Sequence, residues 1–284
     1  MSATTETRTM TPPVPSTSAR PLWFARTVHA EWIKFWTVRS TVWTLVAAVV
    51  VMVGISTLAA WGSTIEDINQ GAGPMNTAQL LSAGYQVGQL AVAVLAILTI
   101  AGEYSTGMIR STLTAVPRRV SVLAAKALVL SIVVLLVTVL AMALSYVATM
   151  PWQDQLGVTF DLTDAETLRM TVGLPLYLVA IALFAFAIGA LVRNSSAALT
   201  GVIALLLVVE TVLSMIPLRA VELISPFLPS TAGRRVLIDS EMLKLIDGGS
   251  TGAHLDPWIG YGVLVVWVIV LGAVAAVLLR RRDA

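Results

Sequence analysis

The chain has 284 residues, 57% of them hydrophobic and only 12% charged, whereas ordinary globular domains carry about 25% charged residues. With a mean hydropathy of +0.86, this composition excludes a soluble globular protein and implies an integral membrane protein. The absence of cysteine rules out thiolate metal sites and disulfides, and the formal charge of +2 matters less than where the 15 Arg and 3 Lys lie.

Residues 1–21 are rich in Ser, Thr and Pro and almost free of apolar side chains. They predict a disordered cytoplasmic tail rather than a targeting peptide, whose apolar core would begin within the first several residues. From residue 22 onward a single transmembrane domain is expected, reaching residue 284. A helix needs about 20 apolar residues to cross a hydrocarbon core of roughly 30 Å. Six stretches meet that need, near 41–61, 80–101, 122–150, 171–192, 197–217 and 258–279. The expected fold class is all-α, a polytopic protein with six transmembrane helices.

Before the first span, residues 22–39 read as an amphipathic helix. At 100° per residue Phe24, Val28, Trp32, Phe35 and Trp36 share one face, and Arg26, Thr27, Glu31 and Lys34 the other. Aromatics opposite charges suit a helix lying in the headgroup plane, or the first span extended by an interfacial anchor. In the second span Gln79, Ser82, Gln86 and Gln89 lie within about 80° on a helical wheel. Amides facing lipid tails are costly, so this stripe looks inward, as an interhelical hydrogen-bond ladder or as a polar wall along a substrate path.

A compact polar hinge, residues 102–119, follows the second span. Ser105 or Thr106 can cap a short helix in which Met108, Ile109, Thr112 and Leu113 make one apolar face, and Pro117 ends it. Such a helix, carrying Arg110, suits docking into a groove of a soluble partner, or burial against the bilayer surface with Arg110, Arg118 and Arg119 as topology charges. The third span is longer than a crossing needs, so it should tilt or run on into the cytoplasmic interface. Its seam of Ala127, Ser131, Val134, Thr138, Ala141, Ser145 and Ala148 lets helices approach closely and exchange hydroxyl hydrogen bonds, within the chain or between subunits.

Glu210 is the one carboxylate inside an apolar run, with Ser196, Thr200 and Ser214 on its side of the fifth span. An acid at mid-bilayer costs roughly 2.5–3.5 kcal/mol on insertion scales and is a functional suspect. A proton or cation role stands beside a satisfied hydrogen bond or a substrate contact. The longest outer loop, 218–257, is apolar at Val236, Leu237, Met242, Leu243, Leu245 and Ile246, which predicts an amphipathic helix on the outer surface between Arg234 and Ile246. No loop is large enough to be a folded catalytic domain.

Counting basic residues near span ends places both termini in the cytoplasm, with 13 of 18 Lys and Arg on that side and most acids outside. His29 and His254 then fall on opposite sides and cannot share a metal, so no metal site is expected. No His-Glu-x-x-His, no Gly-x-Ser-x-Gly and no phosphate-binding Gly-x-x-x-x-Gly-Lys loop is present. The chain is therefore expected to be no enzyme, and if ATP drives it another chain hydrolyses the ATP.

The hinge pattern, glutamate-aromatic-x-x-Gly-x-Ile-Arg-x-x-Leu-x-x-x-Pro-Arg from Glu103 to Arg118, resembles the coupling region of type-2 ATP-binding-cassette export permeases. So does Lys126, a few residues into the third span. The layout is also similar: an interfacial helix, six spans, a longest outer loop before the last span, and a closing Arg281-Arg282-Asp283. Met108 stands where that family usually has Thr. The resemblance implies that Glu103, Tyr104, Gly107, Met108, Ile109, Arg110, Leu113, Pro117 and Arg118 couple the chain to a cytoplasmic ATPase subunit that binds ATP and Mg. It further implies a second permease subunit, identical or related, and a substrate path or dimer contact formed by the first, second and fifth spans. Gln79, Ser82, Gln86, Gln89, Glu210 and Ser214 fall on two of these. The expected function is export of an amphipathic or hydrophobic compound across a bacterial cell membrane. The rivals are a non-transporting scaffold or sensor that recruits a cytoplasmic partner, and an ion-coupled carrier using Glu210.

Overall fold

The computed structural model describes residues 23–65, 76–105, 119–158, 160–216, 218–249 and 252–281. Among them there is no strand, and six helices are long and apolar enough to cross a membrane. The chain is an all-α membrane protein. The predicted tail and residues 106–118 of the hinge, with its coupling helix, lie outside the described residues.

Helix α1 (Trp23–Thr37) precedes the first span, α2 (Arg39–Ser63). The second span is two helices, α3 (Thr77–Ser82) and α4 (Tyr85–Ser105), and the third is α5 (Arg119–Leu156). The fourth, α6 (Ala165–Val192), is the axle of the bundle. It packs most extensively on α4, then on α12 (Pro257–Arg281, the sixth span) and α5. Leu174, Tyr177, Leu178, Ile181, Ala182 and Ala185 are sealed from solvent around it. A helix apolar on every face suits that central place, because no face has to meet a polar phase.

Four expectations are corrected in detail. The second span bends at Ala83–Gly84, where α4 starts against α2 so closely that a Cβ on Gly84 would stand 2.7 Å from Met52 Cα. Asn76 caps α3 by accepting from the Gln79 amide at 2.8 Å, and the Gln79 side chain accepts from Asn76 N–H, a reciprocal capping box. The third span runs on mainly past Pro151, at the end opposite to the hinge. There the Gln153 amide donates to the Tyr146 carbonyl and to the Thr149 hydroxyl, beside the hydrogen bond that the proline cannot make.

The seam of that span is buried at Val134, Thr138, Ala141 and Ser145 against neighbouring helices of the same chain. The hydroxyls of Ser131 and Thr138 do not cross to those neighbours. Thr138 and Ser131 donate to the carbonyls of Val134 and Ala127, one turn back on their own helix. Finally, the fifth span is not uniform. α7 (Ser195–Ile203) widens into a π-helix over Ala204–Val209 before α8 (Glu210–Met215), and Glu210 N–H donates to Leu205 O, five residues back.

The loop before the sixth span also departs from expectation. After α9 (Arg219–Ile224), a 3₁₀ turn (Ser225–Phe227) leads into α10 (Pro229–Gly233) and a second 3₁₀ turn (Arg234–Leu237). This segment does not lie on a surface but folds back between α6 and α12, burying Ala232, Val236 and Leu237. The approach is tight enough that a Cβ on Gly260 of α12 would stand 2.5 Å from the Ala232 carbonyl oxygen. Only α11 (Ser240–Gly248) matches the predicted amphipathic helix, with Leu243 buried and Met242, Leu245 and Ile246 exposed.

Candidate functional site

Two polar assemblies are built into opposite ends of the bundle. At the basic end, where α1, α5 and α12 place their Lys and Arg, the centre is Lys126. Its side chain is 1% exposed, and its Nζ donates to Glu31 Oε2 at 2.6 Å and to Glu103 Oε1 at 2.7 Å. Lys34 also pairs with Glu103. Glu31 and Lys34, three apart on α1, share one helical face and so reach the same spot.

Two ammoniums and two carboxylates make the cluster neutral, the condition under which buried charge is tolerated, since breaking such a set strands an uncompensated ion. Burial, and after it the neighbouring Lys126 charge, pulls the Lys34 ammonium down to about 8. A cavity of about 180 Å³ adjoins the cluster, lined also by Thr41, Thr44 and Thr99. The next residue after Glu103 is bound as well. The Arg193 guanidinium lies 5.2 Å from the centroid of the Tyr104 ring, and Tyr104 packs against Leu279 of α12. The last turn before the hinge is therefore tied to α1, α5, the end of α6 and α12.

At the opposite end stands Glu210, 5% exposed. Its carboxylate accepts from Ser230 N–H at 2.9 Å, and from Thr231 N–H and the Thr231 hydroxyl at 2.6 and 2.8 Å. Ser230 and Thr231 open α10 behind Pro229, so Glu210 caps a helix from another span, supplying the acceptor that first-turn N–H groups lack. Tyr177 donates its hydroxyl to Gln89 Oε1 at 2.6 Å, which leaves Ser230 Oγ, 3.1 Å away, to donate to Tyr177. A buried chain Gln89–Tyr177–Ser230, with Glu210 on the Ser230 backbone, thus joins the second, fourth and fifth spans to the folded-back loop. Tyr177 lies twelve residues into α6, about 18 Å at 1.5 Å per residue, which measures how deep the loop reaches.

The predicted glutamine stripe divides accordingly. Gln89 is in this chain, while Gln79 donates to Asp239, the cap of α11. Ser82 is buried and donates to the Gln79 carbonyl at 3.1 Å, but Gln86 is exposed on the other side of the α3–α4 bend. The stripe is not one wall. Glu103 and Tyr104 are described as above. Gly107, Met108, Ile109, Arg110, Leu113, Pro117 and Arg118 lie outside the described residues, as does the Ser214 side chain.

The expected aromatic face of α1 is also split. Phe35 is buried and Trp32 packs on the core, whereas Phe24 and Trp36 are exposed. Glu31, assigned to the polar face, turns inward to Lys126. Among the described residues no group of His, Asp and Glu could hold a metal.

Residues 45–284 match the family model described as protein of unknown function DUF2705. The chain belongs to the DUF2705 family. The match includes Glu103, Lys126, Tyr177 and Glu210 but starts after α1, so Glu31 and Lys34 lie outside the DUF2705 region. No curated protein matches the chain. Glu31, Lys34, Tyr177, Ser230 and Thr231 were not found by sequence reasoning as site residues. The signal available for the first two was their i, i+3 spacing opposite the aromatics; for Tyr177 it was a lone phenol in an apolar run, which needs a partner when buried.

Proposed function

We propose that the chain is the membrane-spanning permease subunit of an ATP-driven exporter in a bacterial cell membrane, with both termini in the cytoplasm. It moves an amphipathic or hydrophobic compound outward, pairs with a second permease subunit, and takes its energy from a separate cytoplasmic ATPase subunit that binds ATP and Mg. The chain itself makes and breaks no covalent bond. Its role is to convert motion at the hinge into a change of span arrangement.

The observation that carries this reading is the Lys126 cluster. The hinge follows Glu103 and Tyr104 in the chain and ends at Arg119, about two turns before Lys126. Both roots are therefore joined by ion pairs to each other and to α1, and a push on the hinge moves α1, α4 and α5 together. A partner shifts the equilibrium only if it contacts the two arrangements differently, and the hinge supplies the surface for that. The ion-coupled alternative needs a carboxylate free to exchange its ion with water, whereas Glu210 is buried and accepts three hydrogen bonds.

Co-expression with a neighbouring ATP-binding-cassette ATPase and gentle solubilisation tests the proposal. The two chains are expected to co-purify, and Glu103→Ala with Arg110→Ala to lose most of the transport-stimulated ATPase. Unchanged co-purification and unchanged stimulation in that variant would end the coupling assignment.

A further inference from the structure

Helices α5 and α12 both pack on α6 but touch each other only lightly. Between them, with α6 as floor, runs an apolar groove of about 310 Å³. Its walls are small: Ala124 and Ala127 on α5, Gly272 and Ala276 on α12, over Ala187 and Ala190 on α6. From Val268 to Ala276 it follows the bundle axis for about 12 Å.

Small residues on facing helices normally let the backbones close up. Here they leave a channel open on the bilayer side, and a channel with no polar wall cannot hold ordered water, which needs polar partners. What enters it is hydrocarbon.

The groove's basic end is where the charge lies. Arg280 follows Ala276 by four residues, a spacing that keeps it on the groove side of α12, and Arg193, the left-handed C-cap of α6, stands over the Tyr104 ring. Position 119, also Arg, lies one turn before groove-lining Leu123. At this end Leu279 packs on groove-lining Leu123 and on Tyr104, which carries the Arg193 guanidinium. All three walls thus have an arginine at their basic end, and no Asp or Glu lines the groove.

We infer that this groove is a binding site for an anionic phospholipid, with one acyl chain lying between α5 and α12 and the phosphate held by Arg193, Arg280 and their neighbours. Arginine suits phosphate because its planar fork donates two parallel hydrogen bonds. The inference does not rest on the transport reading, since it concerns a lipid that stays with the protein.

The test uses the full purified chain, stripped of lipid in detergent and titrated with phosphatidylglycerol or phosphatidylcholine of identical acyl chains, with retained lipid counted by native mass spectrometry. Phosphatidylglycerol should be retained at a concentration lower by about tenfold, the scale set by basic residues near an anionic headgroup. Arg280→Gln with Arg281→Gln should bring it to the phosphatidylcholine level without changing phosphatidylcholine itself. Gly272→Leu, or Ala124→Leu on the opposite wall, should remove retention of both. Glycerol 3-phosphate, which has the phosphate and no chain, should not compete.

Equal retention of the two lipids by the wild-type chain overturns the inference, as does full retention in both groove-filled variants. Competition by glycerol 3-phosphate would replace it with a simple phosphate site. If the groove-filled variants instead turn a dimer into a monomer, the occupant is a second copy and the lipid assignment fails.

Discussion

Lys126 and Glu31 are 95 residues apart in the chain and 2.6 Å apart in the fold. That contact fixes α1 to the root of the third span, and its companion to Glu103 fixes the end of the second. Lys126→Met leaves buried Glu31 without its counter-ion and Glu103 with Lys34 alone, and removing one partner of a buried pair costs about 3 kcal/mol or more. Thermal melting in detergent should fall steeply, and by much less for Glu31→Gln, which leaves Lys126 paired with Glu103. A Lys126→Met protein that melts like the wild type would show that the cluster is structurally idle.

Glu210 is expected to hold α10 rather than carry an ion. Glu210→Gln keeps one acceptor oxygen but turns an NH₂ group toward donors, leaving at least one buried N–H unpaired at a cost of about 1–3 kcal/mol. Hydrogen exchange at Ser230 and Thr231 should accelerate while amides in the middle of α6 stay protected. Unchanged exchange at those two amides would remove Glu210 from its capping role.

Packing gives a third expectation. A methyl group at position 260 meets the Ala232 carbonyl at 2.5 Å, a backbone atom that no rotamer change can move. Gly260→Ala should cost about 1–3 kcal/mol, the range for forced overpacking, and raise the labelling of a cysteine placed at Ser230. Gly262→Ala, where nothing stands within 4 Å, is its control and should melt normally.

Acid should loosen the same end of the molecule. The Arg235 guanidinium donates to Asp247 at 2.7 Å and, by that hydrogen bond, holds the Asp247 carboxyl below its usual range. A carboxyl whose pKa is depressed in the folded state adds stability that is complete above its ordinary value of 3.8. That stability is lost as pH falls through the folded value. In a His254→Gln background, which removes the imidazole 3.5 Å from Asp247, the melting difference between the Asp247 protein and Asp247→Asn should therefore be constant from pH 7 to 5 and shrink below pH 4. A constant difference down to pH 3 would contradict the pairing.

The six spans were legible because crossing a bilayer demands about 20 apolar residues in a row, a signal that needs no knowledge of neighbours. Glu31 was not legible in the same way: a helical wheel ranks faces of α1 alone, and the partner that turns the polar face inward comes from α5. The π-helix was hidden because Ala204-Leu205-Leu206-Leu207-Val208-Val209 has no side chain that distinguishes a wide turn from a regular one. Leu228–Leu237 misled for a third reason. It is short and carries Arg234 and Arg235, so it does not register as a membrane segment, and its depth depends on partners from elsewhere in the fold, Glu210, Tyr177 and the bare Gly260 surface among them. Glu210 itself was conspicuous, but its meaning lay in two backbone amides that no side-chain pattern reports.

The wide winding of Ala204–Val209 amounts to one residue of slack in the fifth span. Were those six residues to wind as an ordinary α-helix with nothing removed, everything beyond them would advance by about 1.5 Å and turn by about 100°. Glu210 would then turn away from Ser230 and Thr231. Grip and slack therefore sustain each other: the carboxylate holds the extra residue in, and the extra residue sets the carboxylate's aim. Taking one residue out of Ala204–Val209 spends the slack and leaves both flanking helices where they are, whereas the same deletion within Ser195–Ile203 would shift the whole outer half of the span out of phase with the loop it anchors.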